Sequence, residues 1–148
     1  MAVELNERRK QIKRLQDNLP SIRKIAGWSA EVFGEKLGVT KQTISNLENQ
    51  KTPMSFIQYI AIRSVLDTEI ENNKESEVLQ KAVAILLDSD DELDEDKYNE
   101  VQKSLEKVAA TAVAGISGVA LVSVFVALVP LTGALLSLEN FNWKKLLE

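Results

Sequence analysis

The stretch "TKQTISN", Thr40 to Asn46, gathers hydroxyl, amine and carboxamide side chains and no carboxylate. Its chemistry is hydrogen bonding. A carboxamide presents a donor and an acceptor side by side, a lysine only donates, and a threonine offers a methyl beside its hydroxyl. The groups that carry most catalysis and metal binding are missing, since the chain has no histidine and no cysteine. A zinc site would have to be all carboxylate, the commonest general base is absent, and no disulfide can form. No phosphate loop, dinucleotide fingerprint or nucleophile elbow occurs. The acidic run "DSDDELDEDKYN" from Asp88 resembles a calcium loop at its first positions. It then places Leu93 where that loop needs glycine and Asn99 where it needs glutamate. An enzyme is not expected, and neither is a metal or a cofactor.

Hydrogen-bonding side chains act only when rigid elements aim them, and the expected elements are all helical. No window alternates with period two, and proline and glycine fall at breaks. A leading helix is expected from residue 4 to about 17, with Leu5, Ile12, Leu15 and Leu19 on one face and Arg8, Arg9, Lys10, Lys13 and Arg14 on the other. "DNLP" then reads as punctuation, with Pro20 in the first turn of a new helix. Short helical segments follow: "PSIRKIA", "SAEVFGEKL" capped by Ser29, "TKQTISNLEN" capped by Thr40, "SFIQYIAIRSVL" and "ESEVLQKAVAILLD". Ser55 and Gln58 have capping-box spacing. A last helix is expected to begin near Asp94.

The most specific pattern lies between Ser29 and Leu47. Two short helices that cross steeply need a small residue where the second presses on the first, and Gly34 occupies that place. The turn needs a residue tolerant of positive φ, which Gly38 supplies. Phe33, Leu37, Val39, Ile44 and Leu47 have the spacing to face the rest of the domain. With these residues in place, "SAEVFGEKLGVTKQTISNLENQKTP" resembles the Cro and phage-repressor type of helix-turn-helix over roughly Leu19 to Ile70. "GVTKQTISNLENQKT" is the sharpest part, and Glu48 falls in the family's stretch closing the recognition helix. Gln50 stands where the family usually has glycine, and Ala30 where many members place a DNA-touching glutamine.

The resemblance implies a recognition helix entering the major groove of double-stranded DNA with its N-terminal residues against base edges. By position, Lys41, Gln42, Thr43 and Asn46 would contact bases. Their chemistry agrees: carboxamides bond adenine N6 and N7, lysine bonds guanine, and the threonine methyl touches thymine. Ser29, Lys51 and Ser55 would contact phosphate, with Arg23, Lys24 and Lys36 adding attraction that ignores sequence. The basic run of the leading helix reads as a solvated face or as a further phosphate clamp.

Charge is unevenly spread. Residues 1–66 hold eleven Lys/Arg against six Asp/Glu, and residues 67–107 hold five against fourteen. The charged N-terminus is unlike a secretory signal, so the head is expected in the cytoplasm. From Val108 to Leu138 no side chain is charged, and "VAGISGVALVSVFVALVP" is long enough to span a bilayer. Lys103 and Lys107 precede it, and Phe141 and Trp143 are of the sort found at a membrane interface. A small-residue stripe from Ala109 to Ala120 equally suits a soluble oligomeric core. The expected organisation is a basic leading helix over 1–18, the helix-turn-helix domain over 19–70, an acidic helical linker region over 71–107, and an apolar C-terminal helix with an amphipathic tail over 108–148. The function implied is a sequence-specific transcriptional regulator, a repressor, anchored to the membrane. The alternatives are a soluble regulator with an apolar oligomerisation core and a protein-binding adaptor. A homodimer or higher oligomer and a lipid bilayer are the expected partners besides DNA.

Overall fold

The computed structural model describes residues 2–72, 77–87, 95–113 and 143–147, and every regular element among them is helical. Helix α1 covers Ala2–Ile25 and runs unbroken through Pro20. The break expected at Asn18–Pro20 is overturned, and burial is the reason. A proline inside a helix removes one backbone bond and costs about 3 kcal/mol. Leu15 and Leu19 are fully buried and Ile22 is 1% exposed, at helical spacing on both sides of the proline. Burying each such side chain is worth about 1.5–3 kcal/mol, so continuing the helix outweighs the lost bond. The buried stripe starts later than expected: Leu5 is exposed and Ile12 only half-buried.

Three helices complete the segment that was expected to form the domain: α2 (Ala30–Leu37), α3 (Lys41–Glu48) and α4 (Phe56–Asn72). Phe33, Ile44, Leu47, Tyr59, Ile62 and Leu66 bring their inner faces into one core with α1. The stretch expected as a linker region supplies a second layer. Helices α5 (Glu77–Leu86) and α6 (Glu95–Val113) both pack on α1 and on each other. Leu79, Val83 and Leu86 of α5 and Val101, Leu105 and Val108 of α6 enter the same core. The carboxylates of α6 stay outside, with Glu95 and Asp96 in its first turn, where they suit the helix dipole. Polar groups tie this layer to α1. Asn18 donates to the Arg14 carbonyl at 2.8 Å and to the Tyr98 hydroxyl at 2.7 Å, and the Arg14 guanidinium lies 5.1 Å from the Tyr98 ring centre.

A terminal 3-10 turn, Trp143–Leu147, returns to the same body. Trp143 is 5% exposed, meets Tyr59 edge-on at 6.1 Å, and donates its indole N–H to Asp67 at 2.8 Å. Arg63 of α4 stands 5.7 Å from the same ring. Arg8 of α1 donates from Nε and Nη2 to the Leu146 carbonyl at 3.2 and 2.9 Å while covering the Phe56 ring. Trp143, expected at a membrane interface, is therefore a core residue. Among the described residues no helix is long and apolar enough to cross a membrane. Past Val113, the uncharged stretch "VAGISGVALVSVFVALVP" and the expected long apolar helix lie outside the described residues, as do Asp88 to Asp94.

Two expectations follow for stability. Trp143→Ala is expected to destabilise the protein by about 3–5 kcal/mol in equilibrium unfolding by urea, whereas an undocked tail would leave the midpoint unchanged. Burial, above all, pushes the Tyr98 phenol up from its ordinary 10.0, against the opposing bond from Asn18. The folded state then holds this proton more tightly, so the stabilisation is full below pH 10 and is lost as pH rises above it. Tyr98→Phe is expected to cost about 1 kcal/mol at neutral pH and to lose less stability than the parent above pH 10.

Candidate nucleic-acid interface

The two crossing helices are set by local chemistry. The Ser29 hydroxyl accepts from the Val32 N–H at 3.1 Å and caps α2, and the Thr40 hydroxyl accepts from the Thr43 N–H at 3.1 Å and caps α3. Gly38 takes the left-handed conformation at φ 73°, which turns the chain between them. A Cβ on Gly34 would stand 2.8 Å from the Val39 carbonyl oxygen, a backbone atom with no freedom to move aside. The same contact carries a bond, from the Val39 N–H to the Gly34 carbonyl at 2.9 Å. Phe33 is held from behind by Trp28, stacked at 5.4 Å. Leu37 is half-buried and Val39 36% exposed, so neither faces the core as fully as expected. Both line an open apolar groove of about 140 Å³ with Thr43, Ile57 and Ala61.

On α3, Ile44 and Leu47 are buried while Lys41 and Gln42 are exposed. Gln42 Nε2 donates to Asn46 Oδ1 at 3.0 Å, which joins two of the expected base-reading side chains into one unit. Thr43 is half-buried on the groove side, its hydroxyl 2.9 Å from that of Thr40. The turn after α3 folds back on it, with the Lys51 N–H donating to the Asn46 carbonyl at 2.9 Å. Lys51 and Ser55 are both exposed, and Ser55 and Gln58 exchange backbone-to-side-chain bonds at 2.9 and 3.1 Å to cap α4.

Arg23, expected to contact phosphate, has a structural role of its own. Its Nε and Nη2 grip both carboxylate oxygens of Glu48 at 2.6 and 3.0 Å, and its Nη1 donates to the Trp28 carbonyl at 2.8 Å. The two side chains are only 14% and 11% exposed, so this guanidinium braces α1 against the end of α3. Lys36 lies 5.1 Å from the Trp28 ring centre, and Lys24 is exposed in the last turn of α1.

Gln50 has φ 58°, which explains why the related family favours glycine there. The left-handed conformation costs an ordinary residue about 1–2 kcal/mol, and a bond from Gln50 Nε2 to Asp17 at 2.9 Å offsets part of it. Sequence reasoning missed the residue that holds this turn. Gln16 is buried in α1, donates to the Leu47 and Thr52 carbonyls at 3.0 and 2.8 Å, and accepts from the Met54 N–H at 3.0 Å. The available signal was a carboxamide flanked by Ile12, Leu15 and Leu19.

Residues 21–73 match the helix-turn-helix family model, and that third of the chain is a helix-turn-helix domain of Cro and repressor type. Neither the curated proteins nor the solved structures hold a match to this chain. Arg23→Ala leaves the Glu48 carboxylate without its partner and is expected to cost about 3 kcal/mol in urea unfolding. A residue that touched only phosphate would leave the unfolding midpoint where it was.

Proposed function

We propose, on the premise that residues 21–73 are a helix-turn-helix domain, that this protein is a sequence-specific regulator of transcription that reads the major groove with α3. The observation that carries the reading is the Gln42–Asn46 pair on the outer face of a helix whose inner face is locked by Ile44 and Leu47. After their mutual bond, Gln42 retains its carboxamide oxygen and Asn46 its amide as free bonding capacity, one acceptor and one donor. That pattern complements adenine N6–H and N7 in the major groove. Lys41 adds a donor suited to guanine. Ser29, Lys51 and Ser55 stand at a helix N-terminus, in the turn after α3 and at the next helix N-terminus, where phosphates are held.

Regulation is by occlusion of a promoter, as a repressor, with a second copy reading a second half-site. The head works in the cytoplasm, and no catalytic or metal chemistry is assigned to it. The part of the uncharged run beyond α6, residues 114–138, supports attachment to lipid or self-association. The placement of the tail supports a limit on the first: α6 and Trp143–Leu147 both pack on α1, so both flanks of the run belong to the body that carries α3. The open groove beside Val39 and Ile57, the latter 79% exposed, favours a protein contact as the second reading.

The test starts from a duplex selected out of a random pool by the full chain. Gln42→Ala is expected to weaken binding to it by about 1–3 kcal/mol, with affinity falling steeply as salt rises. Unchanged affinity removes Gln42 from the base contacts. If no duplex is retained at any salt concentration, the protein-binding reading replaces this one.

A further inference from the structure

The fold divides the basic run of the leading helix between two uses. Arg8 is spent on the Leu146 carbonyl and the Phe56 ring, and Arg14 on the Tyr98 ring. Arg9 is exposed, and the Lys13 side chain, one turn further, is 76% exposed. Together with Gln16 and Asp17 these two form one wall of an open groove. Gln50, Pro53 and Met54 of the turn between α3 and α4 form the other. Lys51 is the next residue after Gln50 and is itself exposed.

We propose that Arg9 and Lys13 hold the DNA backbone, extending the phosphate-binding surface of the α3–α4 turn along α1 and past the helix-turn-helix domain. The inference rests on the DNA-binding reading above. Both residues precede the matched segment 21–73, so they add a contact that the domain alone does not contain. Rigidity carries the connection. Gln16 makes three bonds into the turn and Asp17 a fourth with Gln50, so the groove walls move together with Lys51. One carboxylate lies in the groove. Asp17 is 21% exposed, and its oxygens accept from Gln50 at 2.9 Å and from Lys13 at 2.7 Å. That bond pushes the Lys13 ammonium up from its ordinary pKa and holds it beside the turn. The surface remains cationic, because Arg9, Lys13 and Lys51 outnumber the single acid. Polyanionic DNA is the occupant that this charge and its continuity with the α3–α4 turn select.

The test measures the affinity of the full chain for a 40-base-pair duplex, selected from a random pool by that chain, over a series of salt concentrations. Each lost phosphate contact lowers the slope of log affinity against log salt by about 0.9 and weakens binding about fivefold near 0.15 M salt. Arg9→Gln/Lys13→Gln is expected to lower the slope by about 1–2, with Arg9→Lys/Lys13→Arg restoring it. Lys103→Glu, on the exposed face of α6, changes the net charge equally and is expected to leave the slope alone. A double glutamine variant that unfolds at the parent's midpoint and binds with the parent's slope overturns this inference and leaves the function standing. An equal loss of slope in Lys103→Glu also overturns it, because net charge alone then explains the effect. A full chain that selects no duplex overturns the function itself, and this inference with it.

Discussion

The structure depends on one buried carboxamide. Gln16 projects from α1 into the place where α3 ends, takes two carbonyls with its amide and one N–H with its oxygen, and so ties the last turn of α3 to the start of the chain leading into α4. A helix end hidden from water without such partners would lose much of the free energy that burial supplies. With them, the chain can turn sharply through Gln50 into α4. Arg23 works on the same junction through Glu48, at the other end of the same stretch of α1. The outer face of α3 is thus held through its C-terminal end by side chains of α1, a separate element that packs behind it.

This arrangement makes the long first helix the common scaffold of the molecule. One side of α1 receives α3 and α4, and the second layer of α5 and α6 packs on it too. A helix-turn-helix domain of ordinary size needs only a short first helix. Here the additional turns bring in a second layer, and the Asn18–Tyr98 bond and the Arg14–Tyr98 contact register it. The exposed carboxylates of α6, Glu95, Asp96, Glu100 and Glu106, are therefore fixed in place relative to α3, and their negative field acts from a defined position.

What was legible in the sequence was local. Ser29, Gly34, Gly38, Thr40 and the Ser55–Gln58 pair act within a few residues of themselves, and each took the place that spacing and stereochemistry gave it. The exposed positions of Lys41 and Gln42 followed from the same periodicity. What was not legible depended on distant partners. Pro20 reads as a helix start until the burial of residues on both sides of it is known. Arg23 shows no structural role in the sequence until Glu48, 25 residues away, is seen to take its guanidinium. The aromatic ring of Trp143 suits a membrane interface by type, and only the pocket formed by Tyr59, Arg63 and Asp67 assigns it elsewhere. Gln50 shows the intermediate case, where an unusual residue type marked the position and the backbone angle supplied the reason.

The bond between Arg8 and Leu146 joins residues 138 positions apart. Synthesis runs from the N-terminus, so α1 leaves the ribosome long before the turn that completes its outer end. The recognition segment, made within the first third of the chain, can fold earlier because its own contacts are mostly near in sequence. Contacts that span so much of the sequence carry the largest loop-closure cost, so the Trp143–Leu147 turn is the docking that the rest of the body must be in place to receive.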